Sequence, residues 1–135
     1  MVLILNVCWS IFLLILSGLS KAVKDTIEHH YLISIFQKLN PFFWNPSLSW
    51  LNKYKNKDQK QGPAFWGSTT FLVWITDGWH LLDMIQALCW QFTLSFWICM
   101  SLALPWWYIP IFIICIKTFY DIAFHFPYTY WFVKK

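Results

Sequence analysis

The chain contains no arginine; all ten of its basic residues are lysine. Planar, bidentate reading of phosphates and bases depends on the guanidinium fork, and neither a Gly-rich phosphate loop nor an RNA-binding aromatic motif replaces it. The net charge of +4 is therefore not read as a nucleic-acid footprint, and nucleic acid is not among the expected partners. Charge of either sign is scarce, at 12% of residues against about 25% in soluble domains, which excludes an ordinary water-facing surface. The four cysteines, Cys8, Cys89, Cys99 and Cys115, each sit in an apolar run with no CxxC pair and no Cys/His finger spacing. They are expected as buried free thiols rather than disulfides or zinc ligands. HExxH, HxxxH, the eight-histidine pattern of membrane desaturases and GxSxG are also missing, and with them the local signatures of those metalloenzymes and serine hydrolases.

What is present is apolar surface: 59% of residues are hydrophobic and 22% aromatic. That balance predicts an all-α integral membrane helical bundle. A crossing takes about 20 mainly apolar residues, so 135 residues supply three transmembrane helices, with four as the alternative, and leave no room for a second domain. The expected order within one membrane domain, residues 1–135, begins with a span at 2–19 and an interfacial helix at 20–40. A cytoplasmic aromatic and Lys-rich loop at 41–66 follows, then a long helix at 68–104 containing the second span, and a third span at 109–126.

Local signals support these bounds. No lysine precedes Lys21, so the first run lacks the positive start of a secretory signal and is expected to be retained rather than cleaved near Gly18-Leu19-Ser20. Ile27, Leu32, Ile35, Phe36 and Leu39 give the next segment an apolar side, and Pro41 stops it. Lys53 to Gly62 reads as a solvated loop. Ser68 or Thr69 is the expected cap of the long helix, whose roughly 54 Å length exceeds the roughly 30 Å hydrocarbon core. Either its first half lies along the interface, or it breaks near Gly78 and both halves cross. Seven lysines between positions 21 and 60 place that side in the cytoplasm, with the N-terminus outside and the Lys134-Lys135 end cytoplasmic. Tyr130 and Trp131 join that pair as an interfacial anchor.

Chemistry is confined to a few ionisable groups, costly at membrane depth. Asp77, His80 and Asp83 step by three residues; they are the candidate catalytic set. Asp25 and His29 are one helical turn apart and join them as candidate metal ligands, an oxygen and nitrogen set that suits Zn, Mn or Fe. Lys117, Asp121 and His125 form one stripe of the last span, with an intrahelical ion pair expected between the first two. A hydrogen-bonded structural network competes with chemistry at all of these positions.

Three strings, Asp25-Thr26-Ile27-Glu28-His29-His30, Phe43-Trp44-Asn45-Pro46-Ser47-Leu48-Ser49-Trp50-Leu51-Asn52-Lys53-Tyr54-Lys55, and Phe65-Trp66-Gly67-Ser68-Thr69-Thr70 with Thr76-Asp77-Gly78-Trp79-His80-Leu81, resemble a family of small uncharacterised bacterial integral membrane proteins. The resemblance covers about positions 20 to 85. It implies a multi-pass protein of the bacterial inner membrane, and it carries no activity and no catalytic residues. The expected function is an interaction or accessory subunit, with the bilayer, its anionic headgroups and either a second copy or another membrane protein as partners. The alternative is a metal-dependent membrane enzyme acting on lipid headgroups or another amphiphile at the cytoplasmic face, with a divalent metal as cofactor. Ion or proton passage is a third reading; it requires oligomerisation, because three spans enclose little pore.

Overall fold

In the computed structural model residues 2–127 are described, and no β-strand occurs among them. Three of the described helices are long and apolar enough to cross a membrane, so the fold is all-α and membrane-embedded. The chain divides into two compact units, residues 1–87 and residues from 88 onward. The expected anchor of Tyr130, Trp131, Lys134 and Lys135 lies outside the described residues, as does the side chain of His125.

The first unit opens with α1 (Val2–His29). A span and a separate interfacial helix were expected at 2–19 and 20–40, but the helix runs through the junction without a break. No proline interrupts it, and the Lys21–Asp25 ion pair at 2.7 Å spans one turn of the polar stretch, a spacing that supports helix. The rest of the expected interfacial helix is wound instead as tight 3₁₀ turns at Tyr31–Ile33 and Ile35–Lys38, which leave Leu32, Ile33 and Ile35 exposed.

The expected turn-rich connection consists of two one-turn helices, α2 (Pro41–Trp44) and α3 (Pro46–Ser49). Each begins with an Asn-Pro pair. The side chains of Asn40 and Asn45 accept the backbone N–H of Phe42 and Ser47, both at 3.0 Å, while proline at the first position loses no hydrogen bond there. A lysine-rich loop follows, pinched by pairing of Tyr54 with Pro63.

The helix expected at 68–104 begins ten residues late, as α4 (Gly78–Ser101). Gly67 takes a left-handed φ of 82°, and the fully buried Ser68 gives its hydroxyl to the Lys53 carbonyl at 2.7 Å, so it cannot cap a helix. The chain winds through turns to Asp77, which does cap one. Its carbonyl accepts the Leu81 N–H at 3.1 Å and its carboxylate accepts the His80 N–H at 2.9 Å. Starting at Gly78 shortens the helix to 24 residues, about 36 Å, which fits one crossing.

The apolar centre of this unit is Ile27, Tyr31 and Leu82, with Val23, Phe36, Trp44 and Trp79 packed against it. Positions 23, 24, 27, 28 and 31 follow the helical three-and-four spacing, as do 79, 82 and 83 on α4. Two seams of the same period therefore face one another.

In the second unit α4 ends where Ala103 takes a φ of 52° and the Leu104 N–H reaches back to the Cys99 carbonyl at 2.9 Å, a Schellman-type close. A 3₁₀ turn at Trp106–Tyr108 leads into α5 (Ile109–Pro127). All four cysteines are free thiols, but only Cys89 and Cys99 are buried. Cys8 and Cys115 are exposed, because an apolar run in a membrane helix turns part of its surface to lipid rather than to a core.

Two glycines separate packing from propensity. A methyl group at Gly78 would meet the Trp44 ring at 2.7 Å and the Phe43 carbonyl at 3.3 Å, whereas Gly18 has nothing within 4 Å. Gly78→Ala is expected to destabilise the protein by about 1–3 kcal/mol through overpacking, and Gly18→Ala to leave stability unchanged or raise it by up to about 1 kcal/mol. Thermal unfolding in detergent, followed by helix content, checks both.

Candidate functional site

All the ionisable groups that bear on chemistry in the first unit lie near the start of α4 and the end of α1. Asp77 is 1% exposed, a position where a carboxylate persists only if its oxygens are matched by donors. Here the donors are present. The His80 ring Nδ1 stands 2.9 and 2.7 Å from the two carboxylate oxygens, the His80 backbone N–H donates at 2.9 Å, and the Thr76 hydroxyl is 3.1 Å away. Burial pushes the Asp77 carboxyl up, but the His80 and Thr76 hydrogen bonds outweigh it and hold the group below the ordinary carboxylate value. An ionised Asp77 requires Nδ1 to carry a proton, and in the neutral imidazole Nε2 is then the lone pair. Such a carboxylate–imidazole pair can take up a proton at Nε2 or present it as a ligand.

The remaining expected site residues go elsewhere. Asp83 is bound by Lys24 at 2.6 Å, and the same ammonium lies 4.9 Å from the centre of the Trp79 ring. Asp25 pairs with Lys21 along α1, and the rings of His29 and His30 meet edge to face at 6.4 Å. Asp77 and His80 are therefore brought together, whereas Asp83, Asp25 and His29 take other partners. Among the described residues no group of three His, Cys, Asp or Glu side chains gathers as a metal site needs.

Sequence reasoning missed Glu28, whose carboxylate accepts the Trp79 indole N–H at 2.9 Å. With Lys24–Asp83 it joins α1 to α4 one turn apart. The missed signal was the apolar pair Ile27 and Tyr31, which marks the inward side of α1 and places 24 and 28 beside it. Positions 25 and 29 are each rotated about 100° from those neighbours. Asn52, also missed, donates to the Thr76 and Phe42 carbonyls and so ties the loop before α4 to α2.

Two cavities open at this site. One of about 390 Å³ is lined by the Ile27–Ile33 stretch with Asn45, Pro46 and Ser47. The other, of about 210 Å³, is lined by Glu28, Pro46, Ser49, Trp50, Asp77, Trp79 and His80. The smaller one contains the Asp77–His80 pair.

Because the folded Asp77 ionises more readily than a free aspartate, the stability it contributes is complete above the ordinary value near 3.9 and fades as the pH falls through its lower folded value. Removing the carboxylate should remove that acid sensitivity. Asp77→Ala is expected to cost about 0.5–2 kcal/mol of stability from the lost cap alone, and Asp77→Asn to flatten the loss between about pH 5 and pH 2. Unfolding in detergent at a series of pH values measures both. Compared with protein-family models, with curated proteins and with solved structures, the chain finds no match in any of the three.

Proposed function

We propose that this protein is an interaction subunit of a membrane assembly and that its partner is a second copy of the same chain, engaged through α5. The observation that carries this reading is the Lys117–Asp121 ion pair, closed at 2.6 Å with side chains 53% and 40% exposed. Lys117 lies about 12 Å along the helix from Ile109, near the middle of a membrane-length segment of which no part is buried within the protein. Ionisable groups at that depth face other protein or water rather than lipid. A lysine and an aspartate one turn apart are self-complementary. When two copies pair, each lysine gains the other copy's aspartate as a second partner, and no charge is left alone.

The setting proposed for the assembly is the bacterial inner membrane, with the N-terminus outside and the C-terminus cytoplasmic. It rests on the resemblance of residues 20 to 85 and on the lysines between Lys21 and Lys60. In that orientation Lys53, Lys55, Lys57 and Lys60 meet anionic headgroups, with Lys57 also resting 3.7 Å from the centre of the Phe42 ring.

The charge pattern supplies the test. In mild detergent the wild type is expected to run as a dimer, and Lys117→Asp, which sets like charges along the stripe, to weaken it about tenfold or more. The double exchange Lys117→Asp with Asp121→Lys should restore it. A monomeric wild type, or recovery only with a different protein, counts against a second copy as the partner. Orientation is read separately: Gln59→Cys should react with a membrane-impermeant thiol reagent only after the cells are opened.

A further inference from the structure

The chain that follows the membrane-length helix α1 does not become water-facing. Leu32, Ile33 and Ile35, in the 3₁₀ turns after His29, are 73%, 85% and 76% exposed. Of the leucines and isoleucines whose side chains are described, these three are the most exposed, those on the three membrane-length helices included. Their neighbours turn the other way. Tyr31 is buried with Ile27 and Leu82, and Phe36 packs against the same cluster with its ring stacked on Trp44 at 5.5 Å. The segment is thus held inward at two positions and apolar outward at three, a two-sided build in a stretch that is too short to cross a bilayer. Packing of Phe36 against the Ile27 cluster also turns the chain back beside the end of α1 instead of letting it run on into water.

We propose that Leu32, Ile33 and Ile35 dip into the bilayer next to α1, at the boundary between headgroups and acyl chains. The inference is independent of the pairing of α5. Three observations favour lipid as the occupant of this face. The first is continuity, since the segment begins two residues after the end of a helix long and apolar enough to cross the membrane. The second is area. Three aliphatic side chains supply far less than the roughly 800 Å² per partner that a stable protein interface buries, whereas lipid contact needs no minimum, because α1 already holds the chain in place. The third is the polar frame. Lys38 closes the segment and is exposed, where its ammonium meets headgroup phosphate.

The backbone is prepared for an apolar layer. The N–H groups of Ile33, Ser34, Gln37 and Leu39 donate to the carbonyls three residues earlier at 3.0–3.3 Å, and the Ser34 hydroxyl donates to the Tyr31 carbonyl at 2.9 Å. Donors closed in this way do not have to be stripped of water when the side chains enter lipid.

The test uses the full chain in vesicles of phosphatidylethanolamine and phosphatidylglycerol. Cys8→Ala and Cys115→Ala remove the exposed native thiols, and an NBD fluorophore is attached at Ile33→Cys or, as the reference in the lysine-rich loop, at Gln59→Cys. The Ile33 probe is expected to emit at shorter wavelength than the Gln59 probe. A nitroxide at carbon 5 of the lipid acyl chain should quench it at least about twofold more than it quenches the Gln59 probe, and more than a nitroxide at carbon 12 does. Leu32→Ser with Ile35→Ser should lower that quenching, with helix content unchanged. Equal emission and quenching at the two positions overturn the proposal. So does short-wavelength emission that neither nitroxide quenches, because protein would then cover the face, and so does quenching that the double serine variant leaves unchanged, because the dye would be inserting on its own. A measurement on the unsubstituted chain uses a lipid with a diazirine near the glycerol end of its acyl chain. Adducts are expected on residues 32–35 as well as on α1, and adducts on α1 with none on residues 32–35 overturn the proposal.

Discussion

The first unit depends on one buried carboxylate. Asp77 ends the preceding turns, accepts the His80 N–H in the first turn of α4 and fixes the ring of His80 in the same act. Once the helix is made to start at Gly78, its phase is set. Trp79, Leu82 and Asp83 then come round to the side that meets Glu28, Ile27 and Lys24. A start one residue earlier or later would turn that side by about 100° and separate all three contacts together.

The seam explains how charged groups are tolerated so close to a bilayer. Lys24 and Glu28 extend from an apolar stripe centred on Ile27, and each finds its partner on the facing helix rather than in lipid. Polar groups here specify which helices meet and in what phase, while the aromatic rings of Phe36, Trp44 and Trp79 supply the buried area. Gly78 allows the closest approach, since the Trp44 ring occupies the space where any side chain would begin.

The all-α membrane class and the presence of three membrane-length helices were legible in the sequence, because length and hydropathy decide them without reference to neighbours. The pairing of Asp77 with His80 was legible as a cluster, since the two lie three residues apart. What was not legible came from phase and from competition. Asp25 and His29 have the same spacing as Lys24 and Glu28, and only the inward face of α1 separates the pairs. Ser68 has the chemistry of a cap, but the Lys53 carbonyl, 15 residues away, claims its hydroxyl. The smaller cavity needs residues from α1, α3 and α4 at once, and no local pattern announces such a meeting.

The length of α1 has a mechanical consequence. At 28 residues it measures about 42 Å, so in hydrocarbon about 30 Å thick roughly two turns stand clear of the oil, and the last two turns carry Lys24 and Glu28. The polar joint between α1 and α4 thereby sits at the edge of the hydrocarbon, where its charged groups need not be buried in oil.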